Sequence, residues 1–436
     1  MSLMYELLDV YAESYETEKS EAEFEMLHQA VERLNQAYEE DSLEARLKGL
    51  REAAAMSRKL DDEPLTLVFD FYLGNELIGT LNDMIEGVAV VRPAAMASRT
   101  ESYAQRPQRI GLNNMLASAY TLIDPLGYAD EIQTIGQLVE ESPLTDNEDL
   151  CIGLGATYEV QLARGDIQAA TETRDEIWAH TRALDDPLYY LHAATYDTEL
   201  AFQRGDWQGM IDAAAACWEM VEQADGSNGI DGHLSGAVDD ASDDSIGHDD
   251  VELTGESAPS AFDRESEFGD SMSDNANWDG DGYRDSYGDE EEEDFDADGE
   301  DDIETDTDYM VVAAAQSCGL AKLGRGDEIL GAETSNPDPD QPAPYNFYLY
   351  WVECLIALDR SDEAVTMAEE GWEEMLGKGQ HYRETQMLCL IVRALHAAGR
   401  PGEVDSWIRK AREVASLLLD PGPMNHQIEE AQSGEG

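Results

Sequence analysis

Residues 161–170 read QLARGDIQAA and residues 201–210 read AFQRGDWQGM, and the Arg-Gly-Asp they share returns as Arg325-Gly326-Asp327. Adhesion proteins present this tripeptide to integrins, so the flanks must decide between a signal and a structural device. After Asp206 the apolar residues fall at Trp207, Met210, Ile211, Ala214, Cys217, Trp218 and Val221, the stripe of an amphipathic helix. After Gly399-Arg400 they fall at Val404, Trp407, Ile408, Ala411, Val414 and Leu418, the same stripe. Another apolar helical segment precedes each turn, such as LYYLHAATYDTELAF at 188–202. The tripeptide therefore joins two helices. Glycine ends the first in a left-handed residue without a Cβ penalty. Aspartate caps the free N–H groups of the second. Arginine sits in the last turn of the first, at the negative end of its dipole. The start, MSLMYELLDVYAES, has neither a basic nor an apolar leader segment, which also speaks against an adhesive role outside the cell.

Equivalent turns are expected near Asp41, Asn82, Gly127, Gly165, Gly205, Gly326, Asp359 and Gly399, at steps close to 40 residues with one long exception. The long step contains residues 225–308, and removing them restores the phase. Regular helix pairs are the mark of a repeat array whose units bury their faces against neighbours. Pro187 and Pro421 each follow their turn glycine by 22 residues and are expected to close corresponding second helices.

These turns resemble those of the tetratricopeptide (TPR) superfamily. The resemblance rests on Gly-Asp or Gly-Arg turns, on a small residue five positions on (Gly165 to Ala170, Asp359 to Ala364) and on the late proline. It covers about 20–223 and 308–420. Tyr158 and Gln161 occupy the places where the family has its small and aromatic first-helix residues, and Met210, Gly331 and Val404 replace the small residue elsewhere. The resemblance implies an all-α, TPR-like right-handed solenoid of about eight helix pairs. The expected organisation is solenoid over 1–224, an acidic disordered insert over 225–308, solenoid again over 309–420 and a disordered tail over 421–436.

The chain has 436 residues, 96 acids against 27 lysines and arginines, and a formal net charge of −69. Residues 225–308 alone hold 32 acids with only Arg264 and Arg284 as bases. That segment has too few aliphatic residues to offset chain entropy, so disorder is its expectation. Replacing a tight turn by so long a loop costs only roughly 3 kcal/mol. Such a charge repels nucleic-acid backbones and favours basic partners. The longest apolar run, 345–358, contains Glu353 and is too short to span a bilayer. The five cysteines, Cys151, Cys217, Cys318, Cys354 and Cys389, are scattered without a C-x-x-C and read as reduced core thiols of a cytoplasmic protein.

Sites for chemistry are sparse. Asp294, Asp296, Asp298, Gly299 and Asp302 fall at EF-hand positions, but Thr305 stands where the bidentate glutamate is needed. Glu25 and His28 supply half of a di-iron motif that requires two such helices. No phosphate-binding loop or zinc-protease motif is present, so neither a metal, a cofactor nor a catalytic residue is assigned. Aromatic residues crowd the first helices instead. In TPR-like arrays first helices line the concave face. The resemblance makes Tyr189, Tyr190, Tyr196, Tyr345 and Tyr348, with Arg383 and Arg393, candidates for contacting a protein or peptide partner, although most large apolar side chains of this kind belong to the core. The expected function is that of a non-catalytic interaction scaffold. Two alternatives stand beside it: a polyanion mimic that captures basic proteins through the insert, and an enzyme or sensor subunit with an unrecognised site.

Overall fold

The computed structural model describes residues 20–40, 42–100, 108–184, 186–225, 307–329 and 343–434, all within one unit of the chain formed by Met1–Asp231 and Asp302–Gly436. The fold is all-α: among the described residues there are sixteen α-helices and no strand. The acidic insert, its EF-hand-like positions and most of the proline-rich stretch 335–344 lie outside the described residues.

The turns show why these segments break where they do. Gly165 (φ 72°) and Gly205 (φ 65°) are left-handed, and the N–H groups of Gly165 and Asp166 close back onto the Leu162 and Gln161 carbonyls. Asp166 Oδ1 then accepts from Ala169 N at 3.1 Å, and Asp206 Oδ1 from Gly209 N at 2.9 Å. The third tripeptide is in a different register. Here Gly324 (φ 72°), and not Gly326, is the left-handed residue, and its bonds to Ala321 and Leu320 repeat those around Gly165. The helix stops at Gly324, the earlier of the two glycines flanking Arg325, which puts Arg325 in the position of Asp166. Arg325 then grips Glu328 with two hydrogen bonds, of 2.7 and 2.5 Å. The same device follows left-handed Asp359 (φ 59°), where Arg360 grips Glu363, and Gly399 (φ 68°), where Arg400 grips Glu403. In the third, fourth and fifth of these turns an arginine–glutamate fork thus replaces the aspartate cap.

The helices are α1 (Glu21–Tyr38), α2 (Leu43–Ser57), α3 (Glu63–Gly79), α4 (Met84–Ser98), α5 (Gln108–Ile123), α6 (Ala129–Glu141), α7 (Asn147–Ala163) and α8 (Ile167–Leu184). They continue as α9 (Pro187–Gln203), α10 (Trp207–Asp225), α11 (Thr307–Lys322), α12 (Tyr345–Ala357), α13 (Ser361–Met375), α14 (His381–Ala397), α15 (Pro401–Ala415) and α16 (Gly422–Ser433). Part of the acid excess is used at their starts. Ser20 and Glu23 form a capping box, and Asp62, Asp83, Asp146 and Asp186 each accept from an N–H of the first turn. Each helix packs on the next, and the odd-numbered helices from α3 to α7, like α9 and α11, also pack on each other. Among the described residues between α11 and α12 there is a short 3₁₀ turn, Gly326–Glu328, and no α-helix, so from α12 onward the first helices carry even numbers.

Two expectations are corrected here. Pro187 and Pro421 do not close second helices; Pro187 opens α9, and Pro421 is the residue before α16. Residues 422–433 are consequently not a disordered tail. Met424, Ile428 and Ala431 are buried, and α16 packs on both α14 and α15. The apolar face of that segment has to be covered, and the exposed side of the last helix pair is where it lands.

The chain also returns on itself. Helix α14 packs against α5, and nearly its whole circumference is buried. Gln380 Nε2 donates to the Leu81 carbonyl at 3.3 Å, and Met84 N to the Lys378 carbonyl at 2.9 Å. Buried Asp124 uses one oxygen to accept from Gly127 N (2.9 Å) and the other from Leu419 N (2.6 Å) and Asp420 N (3.1 Å).

Candidate functional site: a cationic cavity between first helices

The return of α14 fills the space beside the first helices with a polar cluster. Tyr158 and Glu159 come from α7, Tyr196 and Glu199 from α9, Tyr345 and Asn346 from α12, and Tyr382 and Arg383 from α14. Arg383, whose side chain is 8% exposed, donates to Glu159 Oε2 at 2.7 Å, and its guanidinium lies 5.4 Å from the Tyr345 ring centre. Tyr158 Oη donates to the Tyr196 carbonyl at 3.1 Å, and Tyr196 Oη is 3.0 Å from His192 Nε2. Glu199 is fully enclosed. Burial first, and then the neighbouring Glu159 charge, push its carboxyl up to about 8, against the opposing pull of Arg383.

The residues singled out in the sequence therefore divide. Tyr196, Tyr345 and Arg383 are brought together in this polar cluster. Tyr190 is buried elsewhere, stacked on Trp178 with ring centres 6.3 Å apart. Tyr348 is buried between α12 and α13, where burial and then Glu374 raise the phenol's pKa, and Gly371 lies directly against its ring. Tyr189 is half-buried beside Glu148. Arg393 lines an open cavity.

That cavity, of about 640 Å³, is lined by residues of four first helices. Helix α9 supplies Phe202 and Gln203, α11 Lys322, α12 Glu353 and Ile356, and α14 Arg393, His396 and Ala397. Trp207 at the start of α10 and Gly434 after α16 complete the wall. Glu353 is the centre of its charge. Its side chain is 4% exposed; Oε2 accepts from Lys322 Nζ at 2.7 Å and Oε1 is held by Arg393 Nη2. The Lys322 nitrogen lies 5.5 Å from the Trp207 ring centre, and Trp207 meets Phe202 edge to face at 5.7 Å. The Nε2 atom of His396 is buried and makes no hydrogen bond among the described residues. The sequence carried a signal for this place. Glu353 is the one charge in the run 345–358, and Lys322 follows thirteen residues without a charge in α11. A charge that an apolar helix retains has to be paired.

Among the described residues no group of three or more histidine, cysteine, aspartate or glutamate side chains is placed to hold a metal ion, and no helix is long and apolar enough to cross a membrane. All five cysteines are buried free thiols. The sequence matches no protein-family model and no curated protein.

Proposed function

We propose that the chain is a non-catalytic interaction module, a TPR-like array that holds a group of a protein or peptide partner in the cavity between α9, α11, α12 and α14. The supporting observation is the convergence of four first helices on one open volume whose wall combines aromatic surface with incompletely used cations. Elsewhere the aromatic residues of these helices are largely consumed by the core, as Tyr190, Tyr348 and Tyr350 are. Buried unpaired thiols suit a reducing compartment such as the cytoplasm. The test is affinity capture from native lysate with Trp207→Ala beside the parent chain. A partner lost from the variant, while Tyr189→Phe still captures it, supports the reading. An unchanged set of captured proteins overturns it.

A second reading has its own observation, the 32 acids of residues 225–308. Such a block attracts basic proteins at long range, with a Debye length of about 8 Å at physiological ionic strength and ~3 Å at 1 M. Capture that depends on that segment and vanishes in 1 M salt, while ignoring Trp207, favours it.

A further inference from the structure

We propose that the cavity around Trp207, Lys322 and Arg393 is a binding site for organic carboxylates, specifically monoanions with an apolar or aromatic body. This rests on reading the cavity as a ligand site and adds the chemistry of the bound group.

Charge comes first. Lys322 and Arg393 share the single carboxylate of Glu353, and the cavity wall contains no other acid. The trio keeps one net positive charge inside a chain whose formal charge is −69. An ammonium carries three donors and a guanidinium five. Among the described residues Lys322 donates one N–H to Glu353 Oε2 and Arg393 pairs with Oε1 by charge, which leaves donors on both cations for a second acceptor. Both cations are only partly covered, at 22% and 33% side-chain exposure, whereas Glu353 is almost wholly enclosed. The buried acid acts as an anchor that fixes two cations at the cavity wall. His396 Nε2 adds a buried polar atom that lacks a partner among the described residues.

Shape and charge together select the ligand class. Phe202, Trp207 and Ile356 form an apolar wall beside the cations, so the ligand needs an apolar body as well as a charged head. The volume of about 640 Å³ falls in the range of small-molecule sites and far exceeds what a bare ion fills. A planar carboxylate matches the guanidinium fork. One negative charge neutralises the trio; a second would meet the field of the surrounding acids unopposed. The carboxylate has two sources, a free organic acid or the end of a peptide, and the experiment separates them.

The experiment is titration calorimetry on the full chain at 0.15 M salt. The probes are phenylacetate, its neutral analogue phenylacetamide, the dianion benzylphosphonate, and acetyl-Gly-Gly-Phe as free acid and as amide. Phenylacetate is expected to bind about tenfold or more tighter than phenylacetamide, the size of one or two charge-assisted hydrogen bonds. Arg393→Met and Lys322→Met should each weaken phenylacetate about tenfold while leaving the helical circular dichroism in place. Glu353→Gln, if it folds, should tighten phenylacetate and shift preference towards benzylphosphonate. If it does not fold, the two methionine variants carry the test. Equal binding of acid and amide, preference of the parent chain for benzylphosphonate, indifference to both methionine substitutions, or no binding of any carboxylate probe overturns the proposal. Preference for the peptide acid over the peptide amide supports it with a peptide source. Binding of phenylacetate with refusal of the peptide acid supports it with a free-acid source, and removes the partner-binding reading from this cavity.

Discussion

At the scale of single residues, the turns show what sequence carries and what it misleads about. The left-handed glycines at 165, 205 and 399 were legible from helical stripes on either side, because a helix that ends between two stripes needs a residue tolerant of positive φ. Gly326 was misread, since the motif letters RGD outranked an earlier glycine, Gly324, where the helix actually stops. A Cβ at Gly165, Gly324 or Gly399 would meet nothing within 4 Å, so alanine there tests the backbone alone. We expect Gly165→Ala, Gly324→Ala and Gly399→Ala each to cost about 1–2 kcal/mol in denaturant unfolding, with Arg164→Ala within about 0.5 kcal/mol of the parent. Gly326 is no control for this, because a Cβ there would collide with Leu358 Cδ2; a Gly324→Ala variant as stable as the parent would refute the register. Glu199 gives a second test. Its folded pKa of about 8 exceeds the ordinary 4.5, so the native state holds a proton that the unfolded chain releases. That contribution is complete below about pH 4.5 and is lost as pH rises through about 8. Asp70 and Asp149, each raised by burial to about 6, act over a lower window. Melting curves of Glu199→Gln should therefore be flatter than the parent's between about pH 4.5 and 8 and parallel to them outside that window. Parallel curves across that window would show that Glu199 is ionised throughout it.

At the scale of elements, period and burial agree for helices that present one face and part company for helices enclosed on all sides. The stripe of α15 is clean, and its buried residues are Val404, Ile408, Ala411 and Ala415. Helix α14 shows no comparable stripe, because α5, α12, α13, α15 and α16 surround it, and even Arg383, Glu384 and Thr385 are buried. Nothing local in a sequence says that a helix will be enclosed by elements hundreds of residues away. Helix α16 was missed for a related reason: it is short, bracketed by prolines and glycines, and its three buried residues are the only mark of a covered face. The recurrence of Pro187 at Pro421 held the answer, since Pro187 opens a helix. Ending the chain after Pro421 should cost about 3 kcal/mol or more, from the loss of Met424 and Ile428 burial. Ile428→Ala alone should cost about 2–5 kcal/mol. Chemical denaturation measures both, and a truncated chain as stable as the parent would mean that α16 is ornamental.

At the scale of the whole molecule, helical class and the position of the interruption were legible because both are local properties. The return of α14 onto α5, and with it the polar cluster and the cavity, was not, since pairings such as Asp124 with Leu419 and Asp420 leave no local trace. The interruption can be tested on the structure around it. Helix α10 ends at Asp225 and α11 begins at Thr307, and the two pack on each other directly. Trp218 Nε1 donates to Gln316 Oε1 at 3.3 Å, and its ring lies 4.8 Å from that of Tyr309. Gly319 approaches so closely that a Cβ there would stand 2.7 Å from the Trp207 carbonyl, which fixes the depth of the docking. None of these contacts uses residues 226–306. Replacing 226–306 by a short Gly/Ser linker should therefore keep the helical circular dichroism. Closing a shorter loop costs less entropy, so stability should be unchanged or raised by up to about 3 kcal/mol. The cavity residues come from both sides of the deletion, Phe202 and Trp207 before it and Lys322, Glu353 and Arg393 after it. Phenylacetate affinity in the deleted chain thus reports whether the two sides still meet correctly. Removing 30 acids and two arginines, 28 net negative charges, also weakens the repulsion felt by an anion, so its affinity should rise slightly at low salt and match the parent's at about 1 M, where screening shortens to ~3 Å. Loss of helicity, or of binding that the parent shows, would establish that residues 226–306 help to build the fold.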